Sequence, residues 1–385
     1  MAHALRGAAV IRGVAESQLG EVGPDRFALD LVGEAAVAAL ADAGIAKGEV
    51  DGLFSAVVGR GMANLDVGEY LGIAPRYTDG TMIGGSSFVS HAHHAALALH
   101  SGACDVALIV YGSTQRTDMR RPGRMPYPPE VPNYEAPARP VHPVTGYALA
   151  ASRHMHEFGT TREQLAEVAV AARRWAQLNP KAFKRDPLTI EDVLAARPVA
   201  TPFTTLDCCL VTDGGGAIVM TRADTHTDSP KAPVYLLGAG EAHSHRSISQ
   251  MPDLTTTAAR ESGARAFAMA GLSPSDIDVA QLYDAFTINP ILFLEDLGFC
   301  AKGEGGAFVE GGRIAPGGAL PVNTNGGGLS FCHPGMYGIF ALIEAVRQIR
   351  GEAGDRQVAG VTTALAHGNG GQLSSQVTAI LSGER

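Results

Sequence analysis

Two stretches of this chain occur twice, in the same order. Ala41-Asp-Ala-Gly-Ile45, followed by Glu49-Val-Asp51, matches Ala268-Met-Ala-Gly-Leu272, followed by Asp276-Ile-Asp278. Gly84-Gly85-Ser-Ser-Phe88 with His91 matches Gly327-Gly328-Leu-Ser-Phe331 with His333. The first pair leads into strands and the second into helices. A spacing this long signals a duplicated domain rather than a solenoid. The expected halves are residues 1–225 and 230–385, the first carrying an inserted loop subdomain at about 113–200.

Apolar runs alternate with helical periodicity throughout. Ala8–Val14, Val50–Val58, Val106–Tyr111, Gly216–Thr221, Val234–Ala239, Ile277–Leu282, Gly360–Ala366 and Ser375–Leu381 read as strands. Phe27–Ala43, Phe88–His100, Gly146–Phe158, Arg162–Asn179, Thr189–Ala196, Thr255–Ala270, Pro290–Leu297 and Ile339–Arg350 read as helices. That alternation is the pattern of an α/β fold with helices covering sheets. Hydrophobic residues make up 45% and charged residues 18% of the 385, enough for a large core. The net charge of −9 does not favour nucleic acid. No apolar run reaches the ~18 residues that read as a membrane span. The opening MAHALRGAAVIRGV reads as a strand, not a leader. Five cysteines, two of them adjacent, form neither a disulfide framework nor a zinc pattern, so a reduced, cytoplasmic protein is expected.

The stretch Asn323–Gly338, NTNGGGLSFCHPGMYG, is the candidate site. Its glycines let the backbone approach a ligand, and the following helix start offers N–H groups to negative charge. Asn325, Gly327 and Gly328 are expected to hold substrate, with His333 touching what they hold. Ser113–Pro143 is rich in proline and reads as an excursion or lid. Its Arg116, Arg120, Arg121 and Arg124 suit a phosphate, and Arg116 and Arg121 are taken as candidate binding residues. His91, His93 and His94 look metal-like in number, but their helix spacing favours packing, so no metal is expected.

Taken together, these motifs resemble the thiolase superfamily, in the branch of sterol-carrier-protein thiolases and related lipid-transfer or steroid-cleaving proteins. The markers are His333-Pro334 within Asn323–Gly338, Tyr283–Phe286, His367–Gly371, Asn179-Pro180, Leu206-Asp-Cys-Cys209 and Asp213-Gly214. The resemblance spans essentially the whole chain. It implies a thiolase-like five-layered α-β-α-β-α fold from two duplicated halves, and a homodimer. It implies an acyl-CoA substrate, with coenzyme A as substrate carrier and no bound cofactor. It also suggests a small zinc-ribbon/OB-fold partner.

The departures shape the chemistry. The position of the family's nucleophilic cysteine falls on Gly85, with Ser86 beside it. The second, acid–base cysteine falls on His367, and the asparagine of one oxyanion hole falls on Tyr283. Gly370 belongs to the loop that would line the thioester. An acyl transfer of the retro-Claisen/Claisen type would need Ser86 as nucleophile, with His333 or His367 as base. The alternative is retro-aldol cleavage of a 3-hydroxyacyl-CoA, with no acyl-enzyme, on His333, Tyr283 and His367. A non-catalytic acyl-CoA or lipid carrier is the third reading.

Overall fold

The computed structural model describes residues 3–57, 61–121 and 134–385. In chain order the strands are β1 (Ala9–Glu16), β2 (Gly52–Ser55), β3 (Tyr77–Asp79), β4 (Val106–Ser113), β5 (Pro198–Ala200), β6 (Phe203–Thr204), β7 (Gly214–Arg222), β8 (Val234–His243), β9 (Val279–Leu282), β10 (Thr363–Gly370) and β11 (Ser375–Ser382). The helices are α1 (Ala28–Ala43), α2 (Ala63–Leu71), α3 (Ser87–Ser101), α4 (Gln115–Asp118), α5 (Val144–Phe158), α6 (Arg162–Gln177), α7 (Ile190–Ala195), α8 (Ala259–Ala270), α9 (Ile288–Asp296), α10 (Gly305–Val309) and α11 (Gly338–Arg350).

Nine strands form one sheet in the order β3-β2-β4-β7-β1-β8-β11-β10-β9. The order is a mirror. Outward from the centre, β1, β7, β4 and β2 answer to β8, β11, β10 and β9, with the same pattern of antiparallel and parallel pairs. Where a counterpart of β3 belongs, Val322 makes a parallel bridge to Ala280. The halves meet through two residue pairs, Val10↔Tyr235 and Ile11↔Val234.

The repeated Ala-x-Ala-Gly motif has a packing cause. A Cβ on Gly13 of β1 would stand 2.8 Å from the Ala43 methyl of α1. A Cβ on Gly238 of β8 would stand 3.0 Å from the Ala270 methyl of α8. In each half a bare glycine on the first strand lets the covering helix sit against the sheet, with a small residue above it. Gly44 and Gly271, both left-handed (φ 67° and 66°), then end those helices.

Helices α3 and α11 lie between the two half-sheets. α3 packs on β4, β7, β10 and β11, and α11 on β10, β9, β7 and β1. Both are buried along most of their length, as a central layer requires, α3 including Ser87, Ser90 and His91 and α11 including Glu344 and Gln348. One core runs through them from Phe88 and Ile109 to Phe340, Leu365 and Ile380. A second core lies under α1, with Val32, Leu40, Leu53, Leu108 and Val219. The five-layered α-β-α-β-α order follows: α1 and α2, sheet, α3 with α11, sheet, α8.

Several elements depart from expectation. The second repeat match leads only into a one-turn π-helix, Gly327–Phe331, and the true counterpart of α3 starts at Gly338. Helix α8 begins at Ala259 rather than Thr255, because Asp253 folds Thr255 into a turn. The loop expected at His367–Gly371 continues β10 as far as Gly370. Residues 58–60 and the proline-rich run 122–133, with Arg124, lie outside the described residues. No helix of the described residues is long and apolar enough to cross a membrane.

Candidate active site

The site forms where α3 and α11 begin. Gly85 and Gly338 bring these helix starts together, since a Cβ on Gly338 would collide with the Gly85 carbonyl. Tyr283 reaches this junction from the end of β9. Its backbone is fixed by an N–H donated to the His367 carbonyl at 3.1 Å. Its ring is edge-on to both His333 and Tyr337, with centroids 5.6 Å apart in each case.

The Tyr283 hydroxyl lies 2.9 Å from His333 Nε2 and accepts the Tyr337 N–H at 3.2 Å. Thr212 holds His333 at both backbone atoms, by its hydroxyl at 3.0 Å and its N–H at 3.3 Å. Burial pushes the His333 imidazole down to about 4. It is therefore neutral near pH 7, and Nε2 can accept the tyrosine proton. Burial also raises the Tyr283 phenol well above its ordinary value. The two side chains form a hydrogen-bonded tyrosine–histidine pair, with His333 partly exposed.

Gly85 has a stated steric reason. A Cβ there would stand 2.5 Å from the Tyr283 hydroxyl oxygen and closer still to the ring edge. The aromatic ring fills the space that a side chain at position 85 would take. Position 85 and position 283 are thus two halves of one replacement.

Ser86 and His367 are placed elsewhere than the sequence suggested. The Ser86 hydroxyl donates to the Ile83 carbonyl at 2.9 Å and lies 2.8 Å from Ser375 Oγ, so its partner is β11 and not His333 or His367. His367 is fully buried on the far face of β10. Its Nδ1 lies 2.9 Å from Thr378 Oγ1, its Nε2 2.9 Å from Gln376 Oε1, and Phe293 meets its ring edge-on at 4.5 Å. Successive strand residues face opposite ways, so it is Gly368 that faces the site, where a Cβ would come 2.9 Å from Ser86 Cα. His367 instead starts a buried chain through Gln376, Asn369 and Tyr147 that ends on the Gly371 carbonyl. It braces the Gly370–Gly371 loop from behind.

The glycine-rich stretch is held from within. Asn325 Oδ1 accepts the Gly327 N–H at 2.8 Å and the Tyr337 hydroxyl at 2.7 Å. Asp284 accepts the N–H groups of Gly328 at 2.6 Å and Leu329 at 3.3 Å. Burial pushes its carboxyl up to about 7 against those bonds. Tyr337 and Asp284 were not singled out from sequence, although each adjoins or lies within a quoted motif. Cys332 is fully buried, and burial raises its thiol well above the ordinary range. It is not a poised nucleophile.

Arg116 and Arg121 do not converge on this site. Arg116 pairs with Glu21 at 2.8 Å and lies over Phe183. Arg121 pairs with Asp118 at 2.8 Å and lies over Phe27. Their charges are engaged with the 21–27 segment and α4. Of the three histidines of α3, His91 is buried against Phe54 and Phe88, while His93 and His94 share the Glu241 carboxylate at 3.1 and 3.0 Å and His94 also meets Asp79 at 2.5 Å. Among the described residues no group of three metal-ligating side chains converges.

The thiolase C-terminal domain-like family model matches residues 240–383. An acetyl-CoA acetyltransferase of Methanothermobacter thermautotrophicus is 35% identical over 98% of this chain and 100% of the relative. A steroid side-chain-cleaving aldolase of Thermomonospora curvata is 33% identical over 90% of this chain and 91% of the relative. The solved structure of an Ltp2-ChsH2(DUF35) aldolase superposes with a TM-score of 0.89 at 32% identity, covering 99% of each chain. With its mirrored sheet, central helix pair and His333-Pro334 at the site, the chain belongs to the thiolase superfamily, in its sterol-carrier-protein-thiolase-like branch.

Proposed function

We propose that this chain is a lyase that cleaves, or in reverse forms, the carbon–carbon bond beside a coenzyme A thioester by a retro-aldol route. The observation that carries the reading is the fit of the Tyr283 ring into the space above Gly85, which leaves an acid–base dyad where the resemblance places a nucleophile. The relatives' names support both the coenzyme A thioester and this chemistry, since one is an acetyltransferase and another a side-chain-cleaving aldolase.

In this reading the substrate is a 3-hydroxyacyl thioester. Tyr283 takes the hydroxyl proton while its own proton moves to His333 Nε2. The bond between the α and β carbons breaks, the β carbon leaves as an aldehyde or ketone, and the thioester enolate takes up at its α carbon a proton from Tyr283, which regains its own from His333. No acyl group rests on the protein. The Tyr337 N–H supports the developing tyrosinate. Asn325 and Asp284 keep the loop that carries His333 in register. A homodimer and a small second polypeptide belong to the proposal, the latter supported by the two-component name of the superposed aldolase.

The test is intact mass and product analysis with a panel of 3-hydroxyacyl and 3-oxoacyl thioesters, with and without a co-expressed partner. Release of an aldehyde or ketone without a protein adduct is expected. A stable acyl adduct on Ser86 or Cys332 would replace this reading with acyl transfer. Binding without turnover, with the partner present, would leave a carrier.

A further inference from the structure

Behind the glycine loops lies a second group of polar side chains that the dyad does not use. A cavity of about 360 Å³ is bordered by Ile83, Gly84, His245, Arg246, Gly370 and Gly371, and both Ser375 and His243 open onto it. The sheet register sets these two side chains together, because Ser375 of β11 is the direct cross-strand partner of His243 at the end of β8. Ser375 Oγ lies 3.0 Å from His243 Nδ1. Two residues back along β8, on the same face, Glu241 places a carboxylate oxygen 3.8 Å from His243 Nε2. Glu241 is itself held rigidly by Ser90 at 3.0 Å, His93 at 3.1 Å and His94 at 3.0 Å. On its other side, Ser375 Oγ meets the Ser86 hydroxyl at 2.8 Å.

We propose that Ser375, His243 and Glu241 form a second, hydrolytic site that accepts an ester or thioester whose acyl group fits this cavity. The pattern is a nucleophile bonded to a base and a base facing a carboxylate, the arrangement that activates a serine whatever the fold around it. Ser375 Oγ bonds the acyl carbon as its proton passes to His243 Nδ1. The imidazolium returns that proton to the departing thiolate or alkoxide. A water then attacks the acyl-serine, giving its proton to His243, and the acid leaves as the proton returns to Ser375. The separate proton-transfer dyad at Tyr283 is not needed for any of these steps.

The test uses the purified full chain, an alkyl fluorophosphonate as a serine-directed probe, and p-nitrophenyl butyrate as substrate. The expected result is one phosphonyl adduct, mapped by peptide mass to Ser375, and p-nitrophenolate release that the adduct abolishes. His243→Ala should slow both by roughly 100-fold, the usual scale of a lost general base. His243 is half exposed, so its replacement does not test folding. Ser375→Ala should abolish both. The proposal is overturned by no adduct, by an adduct at another residue, or by labelling that His243→Ala leaves at its original rate.

Discussion

Adding one methyl group tests the Tyr283–Gly85 fit directly. Gly85 does not occupy the left-handed region, so Gly85→Ala introduces no backbone strain and the result reports on space alone. The new carbon would stand 2.5 Å from the Tyr283 hydroxyl oxygen, against the ~3.5 Å that an unstrained contact needs. The ring edge, only 2.1 Å from the new carbon, must move by about 1.4 Å, and the ring is packed between His333 and Tyr337. Such overpacking costs about 1–3 kcal/mol. The same shift stretches the 2.9 Å bond to His333 beyond hydrogen-bonding range. Catalysis should therefore fall by about 100-fold or more, the scale of a lost acid–base group. Urea unfolding gives the first quantity and kcat/KM on a 3-hydroxyacyl thioester the second. The control is a double-mutant cycle with Tyr283→Ala, in which the added methyl enters vacated space and its penalty disappears. That coupling should reach about 1–3 kcal/mol. An alanine at 85 that leaves both stability and turnover intact would refute the argument. So would a penalty that is the same with and without the Tyr283 ring.

Three other outcomes follow from the same geometry. Tyr283→Phe keeps the ring and removes the oxygen, so turnover should drop by about 100-fold or more while thioester binding, measured by calorimetry, stays within about threefold (roughly 0.7 kcal/mol). The second concerns pH: His91, His333 and His367 are each pushed down to about 4 by burial. The unfolded chain binds their protons first, so each histidine's contribution is complete above about 6.5 and is lost as pH falls toward 4, at up to ~1.4 kcal/mol per pH unit per group. Asp284, raised to about 7, works in the opposite sense between its ordinary value and 7. Urea midpoints across pH 4–8 read the balance, and the acid limb of kcat/KM should appear near 4. Finally, Glu16 is buried and held at about 2 by Arg347, against its own burial. Arg347→Met leaves only the exposed Lys181 beside it, and should cost about 3–5 kcal/mol in a denaturant titration at pH 7.

The duplicated fold was legible because its cause is local. A glycine on the first strand and an alanine near the helix end must recur wherever that helix lies on that strand, and they do at Gly13/Ala43 and Gly238/Ala270. The importance of Asn323–Gly338 was legible for a similar reason, since a glycine cluster before a helix marks a close backbone approach. What sequence order hides is the partner across space. Gly85 reads as an ordinary turn glycine until Tyr283 is seen against it. The partner of Ser86 is hidden in the same way, because Ser375 lies on a strand of the other half. A motif spacing does not show which face a strand residue takes, and His367 faces Thr378 and Gln376 while Gly368 faces Ser86. The arginines of the excursion suit a phosphate in composition, and only geometry shows Glu21 and Asp118 already beside them.

The electrostatics of the junction bear on both the proposed retro-aldol route and the chemistry of the thiolases this chain resembles. The starts of α3 and α11 meet there, and both helix dipoles present their positive ends to it. A cysteine at position 85, as in the thiolases this chain resembles, would carry its charge as a thiolate at that point. Here the Tyr283 oxygen stands at the same junction and receives the Tyr337 N–H directly. Both atoms stand at the positive ends of the helices, although burial keeps the phenol protonated near neutral pH. What differs is how that atom is attached. A sulfur on a helix start projects toward the acyl carbon, whereas a phenol oxygen arriving from β9 with a neutral imidazole 2.9 Å away is placed to exchange a proton. Leaving position 85 without a side chain, and filling the space from 283, puts a neutral phenol beside a neutral imidazole where the resemblance places a thiolate.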